Sequence, residues 1–147
     1  MSLNEEVELL RNIPMFANIE PSKLKLLAFT SERMTFKDGD ILFRQGEAGD
    51  SAYVIIGGEA DVIVDTPKGP LTVAKLKRND IVGEIAILCD VPRTATIKAS
   101  SSLEAMVIAK DLFFRLVMEF PQMAVEIMRE LARRLDATNR KLTAKNA

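Results

Sequence analysis

Histidine and tryptophan are missing from the 147 residues of this chain, and cysteine and tyrosine occur once each, as Cys89 and Tyr53. Without imidazole the usual zinc sites, the metal-dependent enzymes built on double-stranded β-helices, and every relay that pairs Ser or Cys with His are excluded. A lone thiol makes no internal disulfide, which favours a reducing compartment, and with no basic neighbour or second cysteine beside it Cys89 reads as inert. Aromatics are 5% of the chain, few platforms for stacked bases, so single-stranded nucleic acid is not an expected partner. Charge of one sign is missing too: 20 Lys and Arg against 21 Asp and Glu leave a formal −1, with no bulk attraction to phosphate backbones or anionic lipid. The longest apolar runs are strand-sized, far below the roughly 18 to 20 residues that span a bilayer. The start, MSLNEEVELL, has two early glutamates and no basic stretch, unlike a secretory signal. These absences lead us to expect a cytoplasmic protein that is not an enzyme, holds no metal and contacts no membrane.

What is present is a core. With 48% hydrophobic residues, 1–147 reads as a single domain without internal repeats or low-complexity segments. Over 1–31 the spacing predicts two short helices, with Val7, Leu10 and Arg11 on one side of the first, and Leu24, Leu27 and Ala28 in the second after Pro21. From 32 to 109 short apolar runs alternate with turn chemistry such as Asp38-Gly39-Asp40, Gly57-Gly58 and Arg78-Asn79-Asp80. Roughly eight strands fit, spaced as in a sandwich or barrel. Tyr53-Val54-Ile55-Ile56 suits a strand buried on both faces, and Ala60, Val62 and Val64 alternate with Asp61, Ile63 and Asp65. Helical periodicity returns in 110–147, first over Asp111 to Glu119, then in a longer helix from Pro121 to about Lys141. Its apolar stripe is Ala124, Met128, Leu131, Leu135 and Leu142, while Arg and Lys outnumber acids on the remainder. The methionines, Met118, Met123 and Met128 among them, read as core filler.

The chemistry concentrates in 82–96, VGEIAILCDVPRTAT. Here Glu84 and Arg93 lie in a mostly apolar stretch, and unpaired burial of either would cost several kcal/mol. Gly83 permits a tight turn or close approach to a bound group, and Glu84 to Leu88 makes one short helix whose free N–H groups open on its start, where an anion is favoured. Arg93, restricted by Pro92, offers a planar fork matched to a phosphate, and Thr94 adds a hydroxyl. Glu84 is then able to accept from a sugar hydroxyl, and apolar strand residues to cover a purine, which makes the ligand a nucleotide. The alternative is that Glu84 and Arg93 pair only with each other across the loop.

This segment resembles the phosphate-binding cassette of the cyclic nucleotide-binding domains found in kinases, channels and catabolite-activator-type regulators: an aromatic-Gly-Glu start, a few apolar residues, a short loop, then Pro-Arg-x-Ala-Thr. A second stretch, DGDILFRQGEAGDSAYVIIGGEADV (38–62), is similar to the family's glycine-punctuated strands, and the resemblance covers most of the chain. It implies an α+β, mainly β fold, an antiparallel β-roll (double-stranded β-helix or jelly-roll) with N-terminal helices and two C-terminal helices acting as hinge and lid. It also implies cAMP or cGMP as ligand and no further cofactor. By position, Gly83, Ile85 and Ala86 line the phosphate and ribose through backbone groups, Glu84 takes the 2′-OH, and Arg93 with Thr94 and Ala95 holds the cyclic phosphate. The base falls to Val62, Val73 and Ala74, with Arg134, Leu135 or Thr138 as lid candidates. Val82 departs from the pattern, since the family usually has an aromatic there. Thr94 occurs in domains that take either nucleotide, and we expect cAMP or both rather than cGMP alone.

The function expected is a regulatory module in which ligand shifts the C-terminal helices. The alternative is a β-roll that has lost its ligand and serves as a structural or interaction domain. Contact with a second copy or an effector falls to the helix at 121–143. The residues after Phe120 read as one helix, so direct DNA binding by this chain is not expected.

Overall fold

A computed structural model describes residues 2–146 and, along the last helix, the side chains through Arg133 together with those of Leu135, Asp136, Asn139 and Arg140. Helices α1 (Leu3–Arg11) and α2 (Pro21–Thr30) flank a 3-10 turn, Pro14–Phe16. The strands follow as β1 (Glu32–Phe36), β2 (Ile41–Phe43), β3 (Ser51–Gly57), β4 (Ala60–Thr66), β5 (Gly69–Leu76), β6 (Ile81–Val82), β7 (Thr96–Ala99) and β8 (Leu103–Ala109). Helix α3 (Glu84–Cys89) interrupts them after β6, and α4 (Lys110–Glu119) and α5 (Pro121–Asn146) follow β8. The chain forms two compact units, residues 29–113 with the strands and residues 2–28 with 114–146, all helical or turn.

The strand unit is two antiparallel four-stranded sheets, ordered β1-β8-β3-β6 and β2-β7-β4-β5. Every connection changes sheet except the β4–β5 hairpin, where Thr66 Oγ1 donates to the Gly69 carbonyl at 2.6 Å. This is the β-roll that the resemblance implied, with the eight strands that the turn spacing led us to expect. Tyr53, Ile55, Phe43, Ile97 and Leu103 meet between the sheets. The opposite face of β3, Ala52, Val54 and Ile56, is buried as well, so the uninterrupted apolar run has its predicted cause. Gly58 carries the chain from one sheet to the other at φ 88°, where an added Cβ would stand 2.2 Å from the Ser102 carbonyl oxygen. No other residue type fits there.

In the helical unit, α1 begins with a capping box in which Ser2 accepts from Glu5 N–H at 3.2 Å, and it buries Val7, Leu9 and Leu10. Arg11, expected beside Val7 and Leu10, is instead exposed and bonded to Glu8 at 3.0 Å. Ile13, Met15 and Phe16, which periodicity passes over because they bracket a turn, are fully buried.

The apolar stripe expected on α5 is not the one that packs. Met123, Glu126, Ile127 and Glu130 are buried, whereas Met128 and Leu135 are 61% and 63% exposed. The face is rotated by about one residue from the most hydrophobic line, and two carboxylates are tolerated within it because partners meet them. Asn18 Nδ2, Gln122 Nε2 and Arg129 Nη1 each donate to Glu126 at 3.1 Å, and Arg133 donates to Glu130 at 3.2 Å. Met123 is core as expected, but Met118, 79% exposed, and Met128 are surface residues. The side chains of Arg134, Thr138 and Leu142 lie outside those described.

Candidate functional site

The site is built where β6 gives way to α3. Tyr53 pairs with Val82, and the next residue, Gly83, turns at φ 90° and ψ 0° to open the helix. A side chain here meets two obstacles, because an added Cβ would lie 2.6 Å from Arg93 Nη1 and 3.1 Å from the Ser51 carbonyl oxygen. The helix stops after six residues: Asp90 caps it in the left-handed region at φ 52°, and Pro92 follows two residues on. Cys89 is its exposed last residue. Gly49 permits the helix to approach the β2–β3 loop, since a Cβ there would be 2.4 Å from that of Ala86.

The return loop is clamped at Arg93. Its N–H donates to the Glu47 carbonyl and its own carbonyl accepts from Gly46 N–H, both at 2.8 Å. The side chain is 2% exposed. Nη1 donates to the Gly83 carbonyl at 3.1 Å, Nη2 stands 3.8 Å from Asp50 Oδ1, and Cζ lies 3.9 Å over the centre of the Phe43 ring. Nε is buried and has no hydrogen-bond partner. Burial pulls the guanidinium below its ordinary pKa, opposed by the negative or polarisable groups of Tyr53, Asp50, Glu47 and, weakest, Glu84. A desolvated cation with one donor held open is an arrangement that awaits an anion.

Arg93 borders a cavity of about 150 Å³ between α3 and the inner face of the β2-β7-β4-β5 sheet. Eight of the ten cassette and strand residues singled out from sequence line it: Gly83, Glu84, Ile85, Ala86, Arg93, Thr94, Ala95 and Val62. Glu84 and Ala86 are buried, and Ile85 and Thr94 are exposed at the mouth. The structure does not bring Val73 and Ala74 to the cavity. Ala74 is opposite Val62, but both residues lie on edge strand β5, exposed, with Val73 in the bulge that shifts the register between Val62 and Ile63. Phe43 and Ile97 line the cavity and were missed, and Val82, noted only as a departure from the cassette pattern, lines it too. Phe43, Ile97 and Val62 form one cross-strand row, which strand alternation could have signalled had the strand pairing been known.

Among the described residues no group of three or more Cys, Asp or Glu side chains is arranged to hold a metal, and no helix is long and apolar enough to cross a membrane.

Fold and site together describe a β-roll domain with a buried arginine in the lining of its cavity. The chain belongs to the cyclic nucleotide-binding domain family, whose model matches residues 33–120. It is 34% identical over 109 residues to a cAMP-dependent protein kinase regulatory subunit of Blastocladiella emersonii, covering 74% of this chain and 27% of that one. It is 29% identical over 136 residues to a CRP-like cAMP-activated global transcriptional regulator of Mycobacterium tuberculosis, covering 92% and 61%. The chain thus spans about a quarter of the kinase subunit it matches and under two thirds of the regulator. Among solved structures, the N-terminal domain of a transcriptional regulator from Streptomyces coelicolor A3(2) superposes with TM-score 0.76 at 29% identity, covering 89% of this chain and 94% of that one. The Thermus thermophilus catabolite activator protein, at 24% identity and TM-score 0.81 over 90% of this chain and 63% of its own, shares the fold. These relatives are regulatory proteins.

Proposed function

We propose that the chain is a non-catalytic cyclic nucleotide sensor which takes one molecule of cAMP or cGMP into the cavity beside α3 and responds by shifting the C-terminal helices. The observation that carries this reading is a buried Arg93 guanidinium in the cavity lining, one of whose donors, Nε–H, has no partner. A cyclic phosphate receives Nε–H and Nη2–H, replacing the loose 3.8 Å contact with Asp50. Gly83, Ile85 and Ala86 approach the phosphate and ribose through their backbone, and buried Glu84 accepts from the 2′-OH. Ala95 closes the phosphate end, Thr94 brings a hydroxyl to the mouth, and Val62 with Ile97 and Phe43 supplies the apolar wall. Val73 and Ala74 reach the base only if edge strand β5 moves inward on binding. The cAMP dependence named for both relatives supports cAMP, alone or together with cGMP.

The route to the helices begins at Lys110, the first residue of α4. Its N–H donates to the Asp50 carbonyl at 2.8 Å, and Nζ pairs with Asp90 Oδ1 at 3.3 Å. Asp50 contacts Arg93 and Asp90 caps α3, so ligand that draws Arg93 from Asp50 biases the start of α4. The ligand moves that equilibrium only by its difference in affinity for the two positions. On this reading the strand unit and the helices act as one domain in the cytoplasm.

Isothermal titration calorimetry with cAMP and cGMP, and 5′-AMP as the open-phosphate control, tests the proposal. Saturation near one cyclic nucleotide per chain, with 5′-AMP much weaker, supports it. Absence of binding at high micromolar ligand, in folded protein stripped of nucleotide, removes it and leaves the second reading, a β-roll used as an interaction domain. Met128 and Leu135, two turns apart and exposed on α5, favour a contact of that kind with a second copy or an effector. Sedimentation of the chain with and without ligand decides whether the copy is its own.

A further inference from the structure

We infer that Phe43 is a positioning residue for the anion pocket: its ring face fixes the plane in which the Arg93 guanidinium meets the ligand. This rests on the cyclic nucleotide reading of the same site. Arg93 has few other restraints on its rotation. Nη1 has one hydrogen bond, to Gly83, the Asp50 contact is long, and Nε has no partner. What fills the remaining side is the ring, with Cζ 3.9 Å from its centre. The ring is itself fixed, since Phe43 is buried and tilts against Tyr53 at 5.7 Å, which tilts against Phe36 at 6.4 Å. Gly83 borders both groups, since any Cβ there would stand 2.6 Å from Nη1 and 3.4 Å from Phe43 Cε2.

A desolvated cation over an aromatic face is held by the ring quadrupole as well as by packing. With that attraction removed, the guanidinium swings toward Asp50 in the free chain, and ligand must pull it back. The stack therefore acts on affinity through the arrangement of the empty pocket. Replacing Phe43 by pentafluorophenylalanine keeps the ring's shape and reverses its quadrupole, whereas Phe43→Leu removes the face and some packing.

Cyclic nucleotide titrations of the fluorinated chain are expected to show affinity about fivefold weaker at an unchanged melting temperature. In an Arg93→Ala background the same replacement is expected to have no effect. Unchanged affinity on fluorination, or an equal loss with and without Arg93, would overturn the inference and show Phe43 to be wall or core only. Absence of binding by the unmodified chain overturns the functional reading first and this inference with it.

Discussion

Replacing Arg93 with alanine removes the one buried cation of the pocket. The guanidinium is 2% exposed, so no solvent stands ready to substitute for it, and truncation takes from the phosphate both the orphan Nε–H and an Nη2–H. Loss of one partner from a buried, hydrogen-bonded charge pair costs about 2 to 5 kcal/mol. The free chain recovers part of this, because burial already disfavours the charged side chain and its removal relieves that cost. A net loss of about 2 to 4 kcal/mol remains, which is a thirtyfold to thousandfold weaker affinity. Stability is expected to move by less than about 2 kcal/mol in either direction. The Gly83 carbonyl loses a donor and Phe43 a cation, while a desolvated charge disappears. The assay is calorimetric titration with cyclic nucleotide beside a thermal melt of the ligand-free protein. Arg93→Lys, with a point charge in place of a fork, is expected to fall between wild type and alanine. Wild-type affinity in folded Arg93→Ala protein would refute the assignment of the pocket, whatever the relatives bind.

Glu84→Ala is expected to weaken binding less than Arg93→Ala, and a 2′-deoxy ligand, poorer for the wild type, should lose nothing further in that variant. An undiminished 2′-deoxy penalty would place the hydroxyl elsewhere. Gly49→Ala drives a Cβ to 2.4 Å from that of Ala86, an overpacking cost of about 1 to 3 kcal/mol by denaturant melts. Ala86→Gly in the same chain should restore much of it, and a failure to do so would mean that the strain lies in the loop. With no histidine in the chain, cyclic nucleotide affinity is expected to stay within about twofold between pH 6 and 8. A steep profile in isothermal titrations over that range would point to a carboxylate or thiol shifted by the ligand itself.

Much of the site is written as neighbours in sequence. The elements from Gly83 to Ala95 fold locally, with a glycine at a positive φ, a six-residue helix and a proline-bounded return, so the contiguous segment carries most of the pocket with it. The partners of Arg93 were harder to read. Asp50, Phe43 and the Gly46-Glu47 clamp stand more than forty residues away, and they reach the guanidinium only because β2 and β3 belong to different sheets that close over the same end of the roll. Val73 and Ala74, implied by the resemblance, lie on edge strand β5 outside the cavity lining, where a bulge opposite Val62 and Ile63 breaks a register that no side-chain pattern records.

On α5 the limit is energetic rather than topological. Hydrophobicity picks the line through Met128 and Leu135, yet the helix buries Glu126 and Glu130, whose cost is met by Asn18, Gln122, Arg129 and Arg133. Of those partners, Asn18 is 108 residues distant from Glu126 and enters no local pattern. Turn chemistry, strand alternation and a short contiguous motif act over a few residues, so the succession of strands and the cassette are legible along the chain, and the resemblance carried by the cassette implied the β-roll. Which ring stacks on Arg93, which face of α5 packs and which strand residues reach the cavity become visible once the chain is folded. Those depend on groups brought together across the chain, where burial and hydrogen bonding outweigh local preference.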